Sequence, residues 1–123
     1  MFATEIGTEE VSHLLRQAEC AQWEVVEGRD YQTAFIDPPQ GWNRAFFIKL
    51  PPGGRLHRHT DTGDCETHHI VVQTNDGCVN FWEEDGENCQ HMAVGKRYTV
   101  DRTLMHWAVN NGLTDRIHLM VER

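Results

Sequence analysis

The sequence predicts an all-β fold: a double-stranded β-helix, the jelly-roll or cupin-like barrel, with one N-terminal helix packed outside. Three observations carry this. After about Gln22 the chain breaks into roughly eight to ten short β-rich runs, with turn residues about every 8 to 12 positions. No helical pattern is interleaved among them, which disfavours a parallel α/β sheet. The one readable amphipathic helix precedes every strand.

That helix begins near Thr8, which is expected to cap it. Glu9 and Glu10 suit the positive end of its dipole, and Val11, Leu14, Leu15 and Ala18 make one apolar stripe. The strand runs follow as "QWEVVEG", "QTAFID", "RAFFIKL", "RLHRHTD", "THHIVVQT", "CVNFWEE", "CQHMAV", "KRYTV", "MHWAVN" and "RIHLMVE". Between them stand "DPPQG", "PPGG", "TGD", "NDG", "EDGEN", "VGK" and "NNGLTD", rich in the residues that hairpins and loops require. No linker, repeat or low-complexity segment divides the chain, so residues 1–123 are read as one domain.

A chain of 123 residues supports one core, and Trp23, Trp42, Trp82 and Trp107 supply large apolar surfaces to an otherwise modest 39% apolar composition. The net charge of -8 repels phosphate backbones, which argues against nucleic acid or an anionic membrane as partner. No run approaches a membrane span, and the acidic N-terminus lacks the apolar core of a signal peptide. Cys20, Cys65, Cys78 and Cys89 form no CxxC and match no zinc-ribbon spacing, so reduced thiols in the cytoplasm are expected. A homodimer would give so short a barrel more apolar surface to bury.

Eight histidines are many for this length, and most lie between residues 57 and 106. In "HRHTD" strand alternation puts His57, His59 and Asp61 on one face, so His59 and Asp61 can bind one metal from a single strand. His106, in "LMHWAVN", can add a third ligand from another strand. Two histidines and a carboxylate on one side of an octahedral ion make the facial triad of non-haem Fe(II) oxygenases. Arg116 follows His106 by ten residues, across a turn at Asn110, Asn111 and Gly112. The two side chains are thus expected to face one cavity from neighbouring strands. Burying that arginine is costly without an anion, and its planar fork matches a carboxylate. The bland reading of each piece is a solvated rim strand and a surface arginine.

The ordered set "GGRLHRHTD", "HHIVVQTNDG", "VGKRYTVDRTLMHWAVN" and "MHWAVNNGLTDRIHLMVE" resembles the Fe(II)- and 2-oxoglutarate-dependent oxygenases, over about residues 53 to 122. The nearest branch is the aspartyl/asparaginyl β-hydroxylase-like family, which includes bacterial proline hydroxylases. The resemblance implies that His59, Asp61 and His106 bind Fe(II) and that Arg116 binds the distal carboxylate of 2-oxoglutarate. Dioxygen would then be used to hydroxylate a C–H bond of an amino acid, peptide side chain or small metabolite, with 2-oxoglutarate decarboxylated to succinate and CO2. Many members carry an arginine nine residues after the first histidine; His68 stands there and is assigned a co-substrate contact. Members also usually carry a further region covering the substrate. The chain stops just after the last strand, which implies a partner subunit or an open mouth.

A metal-binding cupin that does not use 2-oxoglutarate is the rival, as a dioxygenase, isomerase or sensor. Its ligands would be His57, His59 and His106, with Asn110 in the HxxxN element and Asp64 or Glu66 as the carboxylate. Nothing in it requires Arg116. A small-ligand or protein-binding barrel without metal is the third reading. Among the remaining residues, His57 is expected beside the triad, and His69 and His91 as surface or strand histidines. His118 is expected on the Arg116 face, Trp82 and Trp107 in packing, and Asn110 in the turn. Arg55, Arg58 and Arg102 are the candidates for a local basic patch.

Overall fold

The computed structural model describes residues 2–61, 65–83 and 87–123. In chain order the elements are β1 (Phe2–Glu5), α1 (Thr8–Glu19), β2 (Glu24–Val25), β3 (Gln32–Ile36), β4 (Arg44–Leu50), β5 (Arg55–His59) and β6 (Thr67–Gln73). They continue with β7 (Cys78–Glu83), β8 (Glu87–Gln90), β9 (Lys96–Val100), β10 (His106–Asn110) and β11 (Arg116–Glu122). Every strand pairing is antiparallel. One sheet has the order β1-β9-β6-β11-β4-β3-β2, the other β5-β10-β7-β8. The two ladders form the jelly-roll arrangement expected of the sequence, with no hydrogen-bonded closure between them among the described residues.

Alternation along the central strands decides what each face does. On β11, Ile117, Leu119 and Val121 point outward with Ile70 and Val72 of β6 and Phe47 of β4. Leu14 and Ala18 of α1 close over that surface, so the helix packs outside, as its stripe predicts. Phe47 at its centre has no exposed area, and truncating it to alanine should cost about 3–5 kcal/mol. The opposite residues of β11, including Arg116, His118 and Met120, face the second sheet.

Three details differ from the sequence reading. Gly7, not Thr8, is the helix N-cap, and it offers its carbonyl to Val11 N (3.1 Å) without a side-chain cap. Residues Phe2–Glu5 add an edge strand on β9 that their acidic, unpatterned sequence does not announce. The run at "CQHMAV" pairs earlier than expected, through β8 at Glu87–Gln90 against β7.

Two loops hold the strands that matter for the site. In "PPGG", Gly53 takes φ 79°, a left-handed conformation that favours glycine, and its amide donates to Asn110 O at 2.7 Å. Asn110 N donates in turn to Gly54 O (3.0 Å), fixing the entry of β5 against the end of β10. Asn110 itself is fully buried. Its side-chain amide donates to Leu50 O and Thr114 O at 2.8 and 2.9 Å, and its Oδ1 accepts from Gly112 N (3.0 Å). The turn role expected for Asn110 is therefore the one it has.

Candidate metal centre

Metal ligation by a histidine needs one ring nitrogen free and the ring held still. His106 meets both conditions. It is partly buried at the start of β10; its Nδ1 donates to Leu104 O at 2.7 Å, which leaves Nε2 directed at Asp61. Burial holds its pKa below the ordinary histidine value, favouring the neutral ring that a metal needs. His59, at the end of β5, bonds its Nδ1 to the His57 carbonyl, again leaving Nε2 free. Asp61 is anchored by its backbone amide, which donates to Arg102 O at 2.9 Å.

The three ligand atoms converge. Asp61 Oδ2 lies 3.3 Å from His106 Nε2 and 3.7 Å from His59 Nε2, and all three atoms fall within 4.8 Å of one another. Adjacent ligands of an octahedral ion with bonds of about 2.1 Å stand roughly 3 Å apart, so the set fits one small divalent cation with little contraction. Trp82 stacks on His106 (5.4 Å between centroids, 9° between planes) and fixes the ring from behind.

A β-bulge makes this possible. His59 pairs with His106, and Leu56 with Ala108, so His57 and Arg58 together oppose Trp107 alone. His59 and Leu56 therefore face inward. His57 is exposed and does not line the inter-sheet cavity, contrary to the simple alternation that put it beside His59. Arg58 turns outward over the Trp107 ring at 5.3 Å and pairs with Glu83. Trp107 in turn stacks on Phe81 (4.9 Å), so it is a packing residue, as is Trp82.

The cavity between the sheets has a volume of about 440 Å³ and is lined by His59, Asp61, His106 and, on the facing sheet, His69. His68, one residue earlier, does not take part. It lies on the outer face of its strand, bonded to Glu66 (2.8 Å) and Arg97 (2.6 Å) and edge-on to Trp42. The co-substrate contact assigned to His68 is corrected on that ground. Alternation along β6 gives the inward position to His69.

Deeper in the barrel, His69 Nδ1 lies 3.2 Å from His118 Nδ1, so one ring donates to the other. Burial and the neighbouring Arg116 depress both pKa values, that of His69 to about 3, and both rings are neutral. His118 Nε2 is buried with no partner among the described residues. Arg116 stands one alternation step beyond, 2% exposed. It donates from Nη2 to Asn80 Oδ1 at 2.8 Å, while its Nε has no partner among the described residues. Burial without a facing anion lowers its pKa to about 10. Its strand, β11, lies in the sheet opposite that of His106, so the two residues come from different sheets rather than from neighbouring strands, and Arg116 is not among the residues lining the cavity. Asn80 lies two residues along β7 from Trp82, a step of about 7 Å. A buried cation with an unsatisfied donor is suited to a carboxylate partner.

The model of the family described as aspartyl/asparaginyl beta-hydroxylase matches residues 31–123. The chain belongs to this family. Over 54 residues the chain is 41% identical to the L-proline cis-4-hydroxylase of Rhizobium meliloti (strain 1021), an alignment covering 44% of this chain and 18% of that protein. Among solved structures, an oxidoreductase of the 2OG-Fe(II) oxygenase family from Burkholderia pseudomallei superposes with a TM-score of 0.76. That similarity covers 94% of this chain and 77% of the other, at 12% identity. An RmlC-like cupin from Shewanella frigidimarina NCIMB 400 gives 0.60 over 85% and 84%, at 17% identity. At these identities both structures speak for the fold alone.

The cupin ligand set is not assembled by the described residues of this family member. His57 is exposed and does not join the cluster of His59, Asp61 and His106, and Glu66 pairs with Arg123 (2.7 Å) and His68 on the outer surface. Asp64, the other carboxylate considered for it, lies outside the described residues. His91 bonds its ring to Cys78 O (3.0 Å) and plays the structural part expected of it. No helix among the described residues is long and apolar enough to cross a membrane.

His69 and Asn80 are the inward polar residues that sequence reasoning missed. Asn80 carried a usable signal, since it sits between Cys78 and Trp82 on the buried face of an alternating strand. His69 carried none, because both faces of "THHIVVQ" are covered and alternation does not say which histidine points in.

Proposed function

We propose that this protein is an Fe(II)- and 2-oxoglutarate-dependent dioxygenase that hydroxylates a C–H bond of an amino acid, peptide side chain or small metabolite. The observation that carries the reading over a metal cupin is Arg116. A cupin site has no use for a buried guanidinium, whereas a dicarboxylate co-substrate supplies the anion it lacks.

His59, Asp61 and His106 would hold the iron from one side. Bound Fe(II) supplies electrons and open positions for dioxygen chemistry, and 2-oxoglutarate is the reductant consumed. The carbonyls of His57 and Leu104 fix which nitrogen of each histidine is free, and the single carboxylate of Asp61 leaves the ion able to accept a dianion. Arg116 would bind the distal carboxylate through its Nε and remaining amino group, with Asn80 setting the plane of the guanidinium. Neutral His69 lines the cavity beside the triad, where it can donate a hydrogen bond without adding charge. The stacked Trp82 keeps His106 aligned and shields its inner side from water.

The test is co-substrate turnover. Full-length protein with Fe(II), ascorbate, 2-oxoglutarate and air should release succinate and CO2 slowly even without a prime substrate. Arg116→Met should abolish this while retaining iron. Iron-replete protein that never forms succinate across a broad amine and amino-acid screen would reject the reading.

A further inference from the structure

The cavity mouth carries a charge arrangement that the metal triad and Arg116 leave unused. Arg102 and Arg44, which both line the cavity, share one carboxylate. Arg102 Nη1 donates to Glu122 Oε2 at 2.8 Å, and Arg44 Nη1 stands 3.7 Å from Glu122 Oε1. Arg102 Nη1 also reaches Cys65 Sγ at 2.8 Å, but its Nε is buried with no partner among the described residues. Two guanidiniums thus share the one carboxylate of Glu122, while Asp61, the other carboxylate lining this cavity, belongs to the metal triad.

The floor beside these arginines is apolar. The Arg44 guanidinium lies over the rings of Phe46 and Phe35, 5.0 and 5.2 Å from their centroids, yet its side chain stays 57% exposed. Phe35, Phe46, Ile48, Leu56 and Met120 line the same cavity as His59 and Asp61. The first three come from the neighbouring strands β3 and β4 of the wider sheet, and they line the cavity that also holds the two arginines and the metal ligands. The basic patch weighed at Arg55, Arg58 and Arg102 is corrected accordingly, since Arg58 is paired with Glu83 on the outer face and Arg44 takes its place.

We infer that the prime substrate is a small amphiphilic carboxylate, held by Arg44 and Arg102 at the cavity mouth with its apolar part along Phe35 and Phe46. This deepens the oxygenase reading and rests on it for the word substrate; the carboxylate site itself is made by protein groups alone. A carboxylate between the two arginines would supply the anion that Glu122 cannot share fully and an acceptor for Arg102 Nε.

The probe is 3-phenylpropionate, compared with its uncharged amide, titrated calorimetrically into the full chain at low ionic strength. EDTA is present so that no metal can take the carboxylate. The acid is expected to bind saturably and the amide at least about tenfold more weakly, one charge-assisted hydrogen bond or more being lost. Arg102→Gln and the exposed Arg44→Gln should each weaken the acid by about tenfold; Arg44→Gln serves if the more buried change impairs folding. Equal binding of acid and amide, no binding of either, or unchanged affinity in a folded Arg44→Gln would overturn the inference. Because metal and 2-oxoglutarate are absent from this titration, its failure leaves the oxygenase reading standing. Failure of wild-type turnover likewise leaves this binding result intact.

Discussion

His106 Nε2 stands 3.3 Å from Asp61 Oδ2, although the two residues are brought together only by a bulged pairing of β5 with β10. A partly buried carboxylate and a partly desolvated imidazole at that separation are poised for a shared cation. Asp61→Ala and His106→Ala should each lower metal affinity by more than about 100-fold, since disturbing only the outer partners of a metal ligand costs roughly 10–100-fold. Metal content after dialysis against micromolar Fe(II), or Mn(II) as an air-stable substitute, measures this. Retained stoichiometric metal in both variants would displace the centre from this cluster.

His57 gives the control that separates a triad from a cupin. Its side chain is exposed and lies off the inward face, so His57→Ala should leave metal content unchanged and stability within about 0.5 kcal/mol. His59→Ala should lose the metal. Equal loss in both variants would favour the HxH arrangement of a cupin.

Arg116 is a cation buried on a neutral partner, and replacing a buried charge by well-packed apolar groups is often neutral or stabilising. Changing Arg116 alone strands Asn80, which should cost about 1–3 kcal/mol. Arg116→Met with Asn80→Leu should recover most of that. In thermal melts with metal present, 2-oxoglutarate should raise the Tm of wild type and leave that of the double variant unmoved. An equal rise in both would remove Arg116 from the co-substrate site.

The buried pair His69 and His118 makes stability depend on pH. Both folded pKa values lie below the ordinary 6.5, that of His69 at about 3, because burial disfavours the charged rings. Below pH 6.5 the unfolded chain therefore binds more protons than the native one. Stability should be full above that value and fall as pH drops toward the folded pKa values, by an amount of order 1 kcal/mol per pH unit for each ring. Urea midpoints of the metal-free protein between pH 7 and 4.5 should show this slope, and His118→Leu should flatten it. A slope unaltered in the variant would assign the acid sensitivity elsewhere.

Much of this was legible in the sequence for reasons that are local. The strands follow from β-rich runs between turn residues, and the helix from its apolar stripe. His59, Asp61, His106 and Arg116 are readable because their spacing survives folding. What failed were inferences of parity. A bulge at His57 and Arg58 depends on how β5 pairs with β10, which no single strand encodes, and it turns His57 out of the site. On β6 both faces are covered, so the choice between His68 and His69 is made by the sheets on either side. The mouth pair Arg44 and Arg102 comes from β4 and the segment before β10, and only the tertiary fold sets them on one carboxylate.

The central claim, that the triad and Arg116 together bind one 2-oxoglutarate, is tested most directly by anaerobic titration of 2-oxoglutarate into the Fe(II)-loaded protein. A weak visible charge-transfer band that saturates at one equivalent in wild type, and is absent from iron-loaded Arg116→Met, is the predicted result. Wild-type protein that holds iron but shows no band at any 2-oxoglutarate concentration would contradict the account.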